Sequence, residues 1–228
     1  EAIEALSKVN TLIIDKTGTL TEGKPSLKEI KLLTDDVQPI QVETWIASVE
    51  QHSSHPIAKT LTKLVPEDQL LSTQDFEDVS GFGVKAKVDG QWLYVGSQKL
   101  IETMGLSLND SLIQQLDQQR REGDVISFIA NDQQVLAYMS IHDAIKHNAK
   151  AVIHQLLSDG VEVIMATGDH EQNALVVAET LGIQQFFANC KPQDKLDLVK
   201  KFQAEGKVVG MAGDGINDAP ALAQANIG

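Results

Sequence analysis

The sequence predicts an α/β fold in which a doubly wound parallel-sheet domain is interrupted by an inserted α+β domain built on an antiparallel sheet. Three short apolar runs, at residues 9–14, 161–166 and 208–212, are rich in β-branched residues and lead into loops of Asp and Gly. Such runs are typical of buried parallel strands that stop at a turn. The 228 residues suffice for two hydrophobic cores.

Helical patterns lie before and between the two later runs. Apolar residues recur at spacings of three and four over residues 146–157, 171–181 and 192–204, as in amphipathic helices that cover a sheet. Strands that alternate with helices predict parallel strands joined by crossover connections. We therefore assign residues 1–25 and 142–228 to the parallel-sheet domain.

The middle of the chain, residues 26–141, has the element order of an α+β domain. The expected elements are helices at 42–51 and 56–65, strands that turn at Asp89-Gly90, two further helices, and a hairpin of 125–131 with 134–141 around Asp132. Trp45 and Trp92 are expected to be packing anchors. Residues 143–146 are predicted to form a hinge strand where the chain returns to the parallel-sheet domain.

Composition excludes several classes of protein. With 19 Lys and Arg against 32 Asp and Glu, the formal charge is −13, which disfavours binding to nucleic acid. The single cysteine, Cys190, excludes an internal disulfide and is expected to be a buried, inert thiol. Neither a signal peptide nor an apolar run of membrane-spanning length is present. We expect a soluble, cytosolic segment excised from a longer chain.

The loops after the three predicted strands concentrate polar side chains. Carboxylates gathered at one sheet edge repel each other unless a cation joins them, and hard oxygen ligands suit Mg²⁺ bound together with a phosphate. Lys195 begins a helix and supplies a basic group. Any one loop alone also fits an Asx-capped turn. The loop residues are Asp15, Thr17, Gly18, Thr19, Thr167, Gly168, Asp169, Gly213, Asp214, Gly215, Asn217 and Asp218.

The ordered set of motifs resembles the P-type ATPases, a branch of the haloacid-dehalogenase superfamily. It comprises Asp-Lys-Thr-Gly-Thr-Leu-Thr at 15–21, Thr-Gly-Asp at 167–169, Lys195, and Gly-Asp-Gly-Ile-Asn-Asp-Ala-Pro at 213–220. The resemblance covers the whole chain and implies a phosphorylation domain, 1–25 with 142–228, interrupted by a nucleotide-binding domain, 26–141. It also implies that Asp15 accepts the γ-phosphoryl group of ATP.

The resemblance further implies a role for each motif residue. Asp15, the Thr17 carbonyl and Asp214 would hold Mg²⁺, with Asp218 in support. Asp169 would contact the nucleotide or brace its loop. The catalytic set that the resemblance implies is Asp15, Lys16, Thr17, Thr167, Gly168, Asp169, Lys195 and Asn217, of which the hydroxyls, amides and lysine offset phosphoryl charge.

Two motifs of the inserted domain are each weak evidence for nucleotide binding when taken alone. A histidine before a helix-starting proline, as in Ser-Ser-His-Pro at 53–56, is commonly a surface cap, and Gly81-x-Gly83 lacks the third glycine of a dinucleotide fingerprint. Together they look like the nucleotide-binding domain of heavy-metal P-type ATPases. The resemblance implies that Glu50 and His55 contact the base and that Gly81 and Gly83 admit the nucleotide.

Two positions depart from the pattern of that subfamily. Ser54 replaces the usual Glu before the histidine, and Ser97 replaces the usual Asn in the nucleotide site. A serine offers one hydroxyl where an amide offers a separate donor and acceptor, so we expect Ser97 to weaken ATP binding.

One position separates a pump from a phosphatase. Superfamily phosphatases carry a second Asp two residues after the nucleophile, where this chain has Thr17, and a threonine is no general base. We therefore expect a phosphoenzyme that persists. Residues 95–106 and the motif at 213–223 look most like those of bacterial copper pumps, and this resemblance implies a copper(I)-exporting ATPase as the whole protein. A zinc or cadmium pump, or a stand-alone phosphatase whose insert is a substrate cap, stays open.

The resemblance also implies partners and a location. The partners are ATP, the transmembrane and actuator domains of the same chain, and a transported metal ion bound outside this segment. The segment would lie on the cytoplasmic face of a membrane, expected to be the bacterial inner membrane, in which the full-length protein is integral.

Overall fold

The computed structural model describes residues 2–79, 82–215 and 218–228. It divides the chain into two compact units. The discontinuous unit comprises Glu1–Gly23 and Asp143–Gly228, and the inserted unit comprises Lys24–His142. A parallel sheet in the first unit and an antiparallel sheet in the second confirm the predicted fold class.

Ten strands and nine α-helices are assigned over the described residues. The strands are β1 Thr11–Asp15, β2 Ser26–Leu32, β3 Thr73–Val79, β4 Gly83–Val88, β5 Gln91–Gly96, β6 Val125–Ala130, β7 Val135–His142, β8 Glu162–Ala166, β9 Gln185–Phe187 and β10 Val209–Ala212. The helices are α1 Ala2–Lys8, α2 Pro39–Glu50, α3 Ala58–Thr62, α4 Gln98–Thr103, α5 Asp110–Arg121, α6 Ala149–Ser158, α7 Glu171–Leu181, α8 Pro192–Ala204 and α9 Ala219–Gln224.

The discontinuous unit is a four-stranded parallel sheet in the order β10-β1-β8-β9. Adjacent residues of β1 face opposite sides, as the pleat requires. Ile14 packs in a cluster with α6 and α7, whereas Ile13 packs in a cluster with α8 and α9. Helices therefore cover both faces, which explains why the strands are apolar almost throughout.

The inserted unit is a six-stranded antiparallel sheet in the order β2-β7-β6-β5-β4-β3. Helices α2 and α3 cover one face through residues such as Ile46 and Leu61, and α4 and α5 cover the other through Ile101 and Leu116. Trp45 of α2 is buried in the first of these cores, as expected of a packing anchor. Of the candidate nucleotide residues, Glu50 ends α2, Gly83 begins β4, and His55 and Ser97 lie in the loops that follow α2 and β5.

Three local predictions are wrong. Residues 143–146 form no strand, and only the isolated bridge between Thr21 and Ile145 marks the place. The helix predicted at 56–65 is shorter, Ala58–Thr62, and it ends one turn before Pro66, whose ring within a helix would clash with the carbonyl one turn earlier. Trp92 lies half-buried on the sheet surface, with the ammonium groups of Lys85 and Lys87 at 4.9 and 5.2 Å from its ring centre.

Three elements, α1, β2 and β9, were not predicted. The carboxyl-terminal side of β9 leads to Cys190, which is buried, and burial raises the pKa of its thiol. None of the helices in the described part of the chain combines the length and apolar character that crossing a bilayer requires.

Candidate active site

Parallel pairing brings three strand ends to one edge of the discontinuous unit. Strand β1 pairs with β8 on one side and with β10 on the other, so that Asp15 lies opposite Ala166 and Ile14 opposite Ala212. The loops that follow these strands leave the sheet at the same edge. This pairing explains why residues far apart in sequence share one site.

Asp15 is the buried centre of this site. Its side chain is 8% exposed, and its Oδ1 accepts a hydrogen bond of 2.8 Å from the Nζ of Lys195. Burial raises the pKa of the Asp15 carboxyl to about 6, against the opposing effect of Lys195, while Asp218 and Asp214 add to the rise. A buried carboxylate held next to a cation is suited to act as a nucleophile.

Lys195 joins two carboxylates. It lies in the first turn of α8, and its Nζ donates to Asp15 Oδ1 and Asp218 Oδ1 at 2.8 Å each. Burial opposes the ammonium form, but the two carboxylates outweigh burial and raise the pKa of Lys195 above its ordinary value. The lysine therefore stays cationic and reduces the repulsion between the two acids.

Three carboxylates at this edge are arranged as a cation site. Asp15, Asp214 and Asp218 each offer one oxygen, and these atoms lie within 4.8 Å of one another. Asp218 Oδ2 is buried and has no hydrogen-bond partner within the described part of the chain. A Cβ at Gly213 would collide with this oxygen, so the glycine makes room for it. A buried oxygen without a donor, among hard oxygen ligands, fits Mg²⁺.

The loop after β8 is tied to the loop after β1 by an ion pair. Lys16, which is buried, pairs with Asp169. Thr167 is 1% exposed, and its Oγ1 accepts from the backbone N–H of Asp169 at 3.1 Å. These contacts brace the loop, which is one of the two roles predicted for Asp169, and contact with the nucleotide stays a prediction.

The backbone after Asp15 turns sharply. Thr17 has non-helical dihedrals, and Gly18 has φ of 77°, a conformation that favours glycine. Gly168 lies close to another backbone, since a Cβ there would approach the Cys190 carbonyl oxygen to 3.3 Å. Two predicted site residues, Asn217 and Gly81, lie outside the described residues.

Sequence reasoning missed two residues that hold the Asp15 loop. Thr21 Oγ1 accepts from the Gly18 N–H at 3.1 Å and donates to Asp143 Oδ2 at 2.7 Å. Thr21 is 1% exposed. Its position at the end of the seven-residue motif was a signal for such a role. No local pattern marks Asp143, which is 122 residues away in sequence.

The structure places Glu50, His55 and Ser53 around the end of α2. Glu50 is its last residue and is 4% exposed. Burial raises the pKa of Glu50 to about 7, Ser53 opposes the rise, and the charge of Asp78 adds to it. Ser53 Oγ accepts from the His55 N–H at 3.1 Å, and His55 Nδ1 accepts from the Ile57 N–H at 3.2 Å.

Gly83 and Ser97 meet at the start of β4 and the end of β5. Gly83 has φ of 149°, and a Cβ there would collide with the Val95 carbonyl oxygen. A Cβ at Gly96 would collide with the Phe82 carbonyl oxygen. Ser97 donates its N–H to that oxygen at 2.8 Å, and its side chain caps α4. Close backbone packing accounts for both glycines.

Known proteins share this sequence and fold. The copper-exporting P-type ATPase of Legionella pneumophila is 40% identical over 100% of this chain and 31% of its own length. The zinc-exporting P-type ATPase of Mycobacterium marinum is 37% identical over 99% of this chain and 31% of its own length. The chain therefore spans about a third of these relatives.

A solved structure of the catalytic domain of the CPx-ATPase CopB-B superposes with a TM-score of 0.78 at 30% identity, covering 98% of this chain and 78% of that one. A zinc-transporting PIB-type ATPase in the E2.Pi state superposes with a TM-score of 0.54 at 28% identity, covering 100% of this chain and 36% of that one. The family model for haloacid dehalogenase-like hydrolases matches residues 9–226. By its sequence and by the site at the carboxyl edge of its parallel sheet, the chain belongs to the haloacid dehalogenase-like hydrolase family.

Proposed function

We propose that the chain is the ATP-binding and phosphorylation segment of a heavy-metal-exporting P-type ATPase. The observation that carries this proposal is the buried Asp15 at the end of β1, paired with Lys195 and close to Asp214 and Asp218. The similarity to P-type ATPases over the full length of the chain supports it.

In the proposed reaction a carboxylate oxygen of Asp15 attacks the γ-phosphorus of ATP. A new bond forms between that oxygen and phosphorus, the bond to the β,γ-bridging oxygen breaks, and ADP leaves with the electron pair. Lys195, at 2.8 Å from Oδ1, offsets negative charge as the phosphoryl group arrives. The product is an aspartyl phosphate, which water hydrolyses later in the cycle.

The carboxylates of Asp15 and Asp214 would hold Mg²⁺ together with the Thr17 carbonyl, and Asp218 would support them. When bound, Mg²⁺ neutralises charge on the transferring phosphoryl group. The buried Asp218 Oδ2, which has no donor among the described residues, is consistent with this assignment.

The phosphoenzyme is expected to persist. Thr17 occupies the position where a second aspartate would activate water, and its hydroxyl is a poor general base. Thr167, Gly168 and Asn217 would contact phosphoryl oxygens, and Lys16 with Asp169 would keep their loop in place. Persistence suits a pump, because a conformational change must precede hydrolysis.

The inserted unit would bind the nucleotide through Glu50, His55, Gly81, Gly83 and Ser97. The transmembrane and actuator domains of the full-length chain would complete the pump at the cytoplasmic face of a membrane. Copper(I) is the proposed cargo, because a copper exporter and a probable copper-transporting ATPase are 40% and 38% identical to this chain. Zinc-exporting and manganese-exporting relatives are 37% and 36% identical, so the cargo requires its own test.

The phosphorylation proposal is tested by trapping the phosphoenzyme from ATP labelled at its γ-phosphorus. We expect acid-stable, hydroxylamine-cleavable label on the wild-type chain and none on Asp15→Asn. The matched control, Asp35→Asn at an exposed position, should keep the label. Label that survives Asp15→Asn, or hydrolysis of p-nitrophenyl phosphate far faster than that of ATP, would favour a phosphatase instead.

The cargo is tested in the full-length protein. Stimulation of its ATPase activity by Cu⁺ and not by Zn²⁺ or Mn²⁺ is the expected result. Stimulation by Zn²⁺ alone would refute copper export while leaving the role of Asp15 intact.

A further inference from the structure

Glu50 is a buried acid in an environment that disfavours its charge. It is 4% exposed and is the last residue of α2. The carboxyl end of a helix carries partial negative charge, which repels a carboxylate placed there. Burial and helix position therefore act in the same direction on this group.

The groups around Glu50 do not compensate a negative charge. Its Oε2 is buried and has no hydrogen-bond partner, and no lysine or arginine forms an ion pair with it, within the residues that the structure describes. The facing charged group is Asp78 of β3, and Ser53 contributes the side-chain hydrogen bond. His52 of the same loop packs against Phe76. A buried acid without a cation is neutral at much higher pH than an exposed one.

We propose that Glu50 carries a proton when the inserted unit binds its nucleotide, and that the neutral acid reads the hydrogen-bonding edge of adenine. This inference rests on the proposed function, since it concerns the same nucleotide site. A base edge that enters the site would supply the partner that Oε2 lacks.

The proton on Glu50 determines which purine base, adenine or guanine, matches its hydrogen-bonding groups. A neutral carboxylic acid offers one donor and one acceptor, which match the N1 acceptor and the N6 amino donor of adenine. An ionised carboxylate offers acceptors only, which match the N1–H and N2 amino donors of guanine and repel the N1 lone pair of adenine. Loss of the proton therefore weakens adenine binding selectively. With the pKa of Glu50 raised by burial to about 7, this loss falls within the range of ordinary assays.

The test compares the dissociation constants of the β,γ-imido analogues of ATP and GTP for the 228-residue chain at pH 6.0 and pH 8.5. The ratio of the two constants cancels the ionisation of the triphosphate, which is common to both. We expect the preference for the adenine analogue to fall at least about tenfold between these pH values, because the competent protonated fraction falls. Glu50→Gln, whose amide always offers a donor and an acceptor, should keep a constant preference.

A second variant tests the effect of the neighbouring charge. Asp78→Asn removes the acid that faces Glu50 and should move the midpoint of the pH profile to lower pH. Glu77→Gln, the adjacent exposed acid, which pairs with Lys85 instead, should leave the midpoint in place. Calorimetry in buffers of different ionisation enthalpy should show proton uptake on adenine-analogue binding at pH 8 by wild type, and less uptake by Glu50→Gln.

The outcomes separate this inference from the proposed function. Nucleotide binding with the same pH profile in wild type and Glu50→Gln overturns the role of the proton and leaves the nucleotide site standing. Loss of binding in Glu50→Gln at both pH values, with an unchanged circular dichroism spectrum, also overturns it. Absence of binding by the wild type at every pH overturns the nucleotide site and this inference together.

Discussion

The two units bury acidic side chains in opposite ways. In the discontinuous unit Asp15 and Asp218 share the ammonium of Lys195, and Asp169 pairs with Lys16. In the inserted unit Glu50 is equally buried but lies near another acid, Asp78. A neighbouring cation favours the anionic form of a buried carboxyl, whereas burial without a cation favours the neutral acid. The first arrangement suits a carboxylate that reacts as an anion, and the second suits hydrogen bonding to an uncharged base.

The two units also hold their loops differently. Side-chain ion pairs and hydrogen bonds fix the loops after β1 and β8, whereas close backbone packing at Gly83 and Gly96 fixes the candidate nucleotide loop. Single substitutions should therefore have different effects in the two units. The following four changes test this contrast, from the largest expected effect to the smallest.

Gly83→Ala should destabilise the inserted unit by about 4 kcal/mol, because the new Cβ meets the Val95 carbonyl and φ is positive. Both tryptophans lie in this unit, so urea unfolding followed by tryptophan fluorescence reports on it alone. Gly90→Ala is the matched control, since it has positive φ but no atom within 4 Å of its Cβ. Its cost should be about 1 kcal/mol. Equal costs would contradict the close-packing account.

Lys195→Met should destabilise the discontinuous unit by about 3 kcal/mol, because it leaves Asp15 and Asp218 buried without their shared cation. Circular dichroism during thermal unfolding measures the change. Lys200→Met, at an exposed position of the same helix, should alter stability by less than about 0.5 kcal/mol. Asp218→Asn, added to Lys195→Met, should restore part of the lost stability. If it restores none, charge compensation is not the cause.

Glu50→Gln should stabilise the inserted unit by about 2 kcal/mol at pH 8 and have little effect at pH 4. The folded-state pKa of about 7 exceeds the ordinary value of 4.5, so the unfolded chain releases the proton first. The stability of the wild type therefore falls as pH rises from about 4.5 to about 7. Urea unfolding by tryptophan fluorescence across this range checks the sign. A wild-type stability that rises through this window relative to Glu50→Gln would refute a neutral Glu50.

Thr21→Val should cost about 1 kcal/mol, since it removes the acceptor of the Gly18 N–H and the donor to Asp143. Faster hydrogen exchange at residues 16–20 should accompany it. Thr44→Val, whose exposed hydroxyl bonds only within α2, serves as the control and should leave that exchange unchanged. Unaltered exchange in Thr21→Val would mean that Thr21 does not hold the loop.

Local pattern and the strand-end rule suffice to predict much of this molecule. The helices α7 and α8 have the bounds predicted from periodicity, 171–181 and 192–204. The gathering of Asp15, Asp214 and Asp218 follows from parallel pairing alone. Their hydrogen bonds to Lys195 do not follow from strand pairing, because Lys195 is 180 residues away from Asp15 in sequence. Long-range contacts of this kind leave no periodic signal.

The errors have a common physical cause. Trp92 was expected to be an anchor because tryptophan is large and apolar, yet it lies on the sheet surface beside two lysines. The burial of Glu50 without a cation among the described residues could likewise not be read from its neighbours in sequence, and its contact with a base stays a prediction. Which face a side chain occupies depends on tertiary packing, so a residue type alone cannot assign it.

The bridge between Thr21 and Ile145 has a consequence for how the chain acquires its structure. The residues between them form a contiguous unit, whereas β1 must wait for β8 and β10, which are synthesised much later. Contacts distant in sequence form slowly because loop closure costs entropy. During synthesis the inserted unit should therefore become protease-resistant first, and β1 should stay accessible to protease until β8 and β10 have left the ribosome.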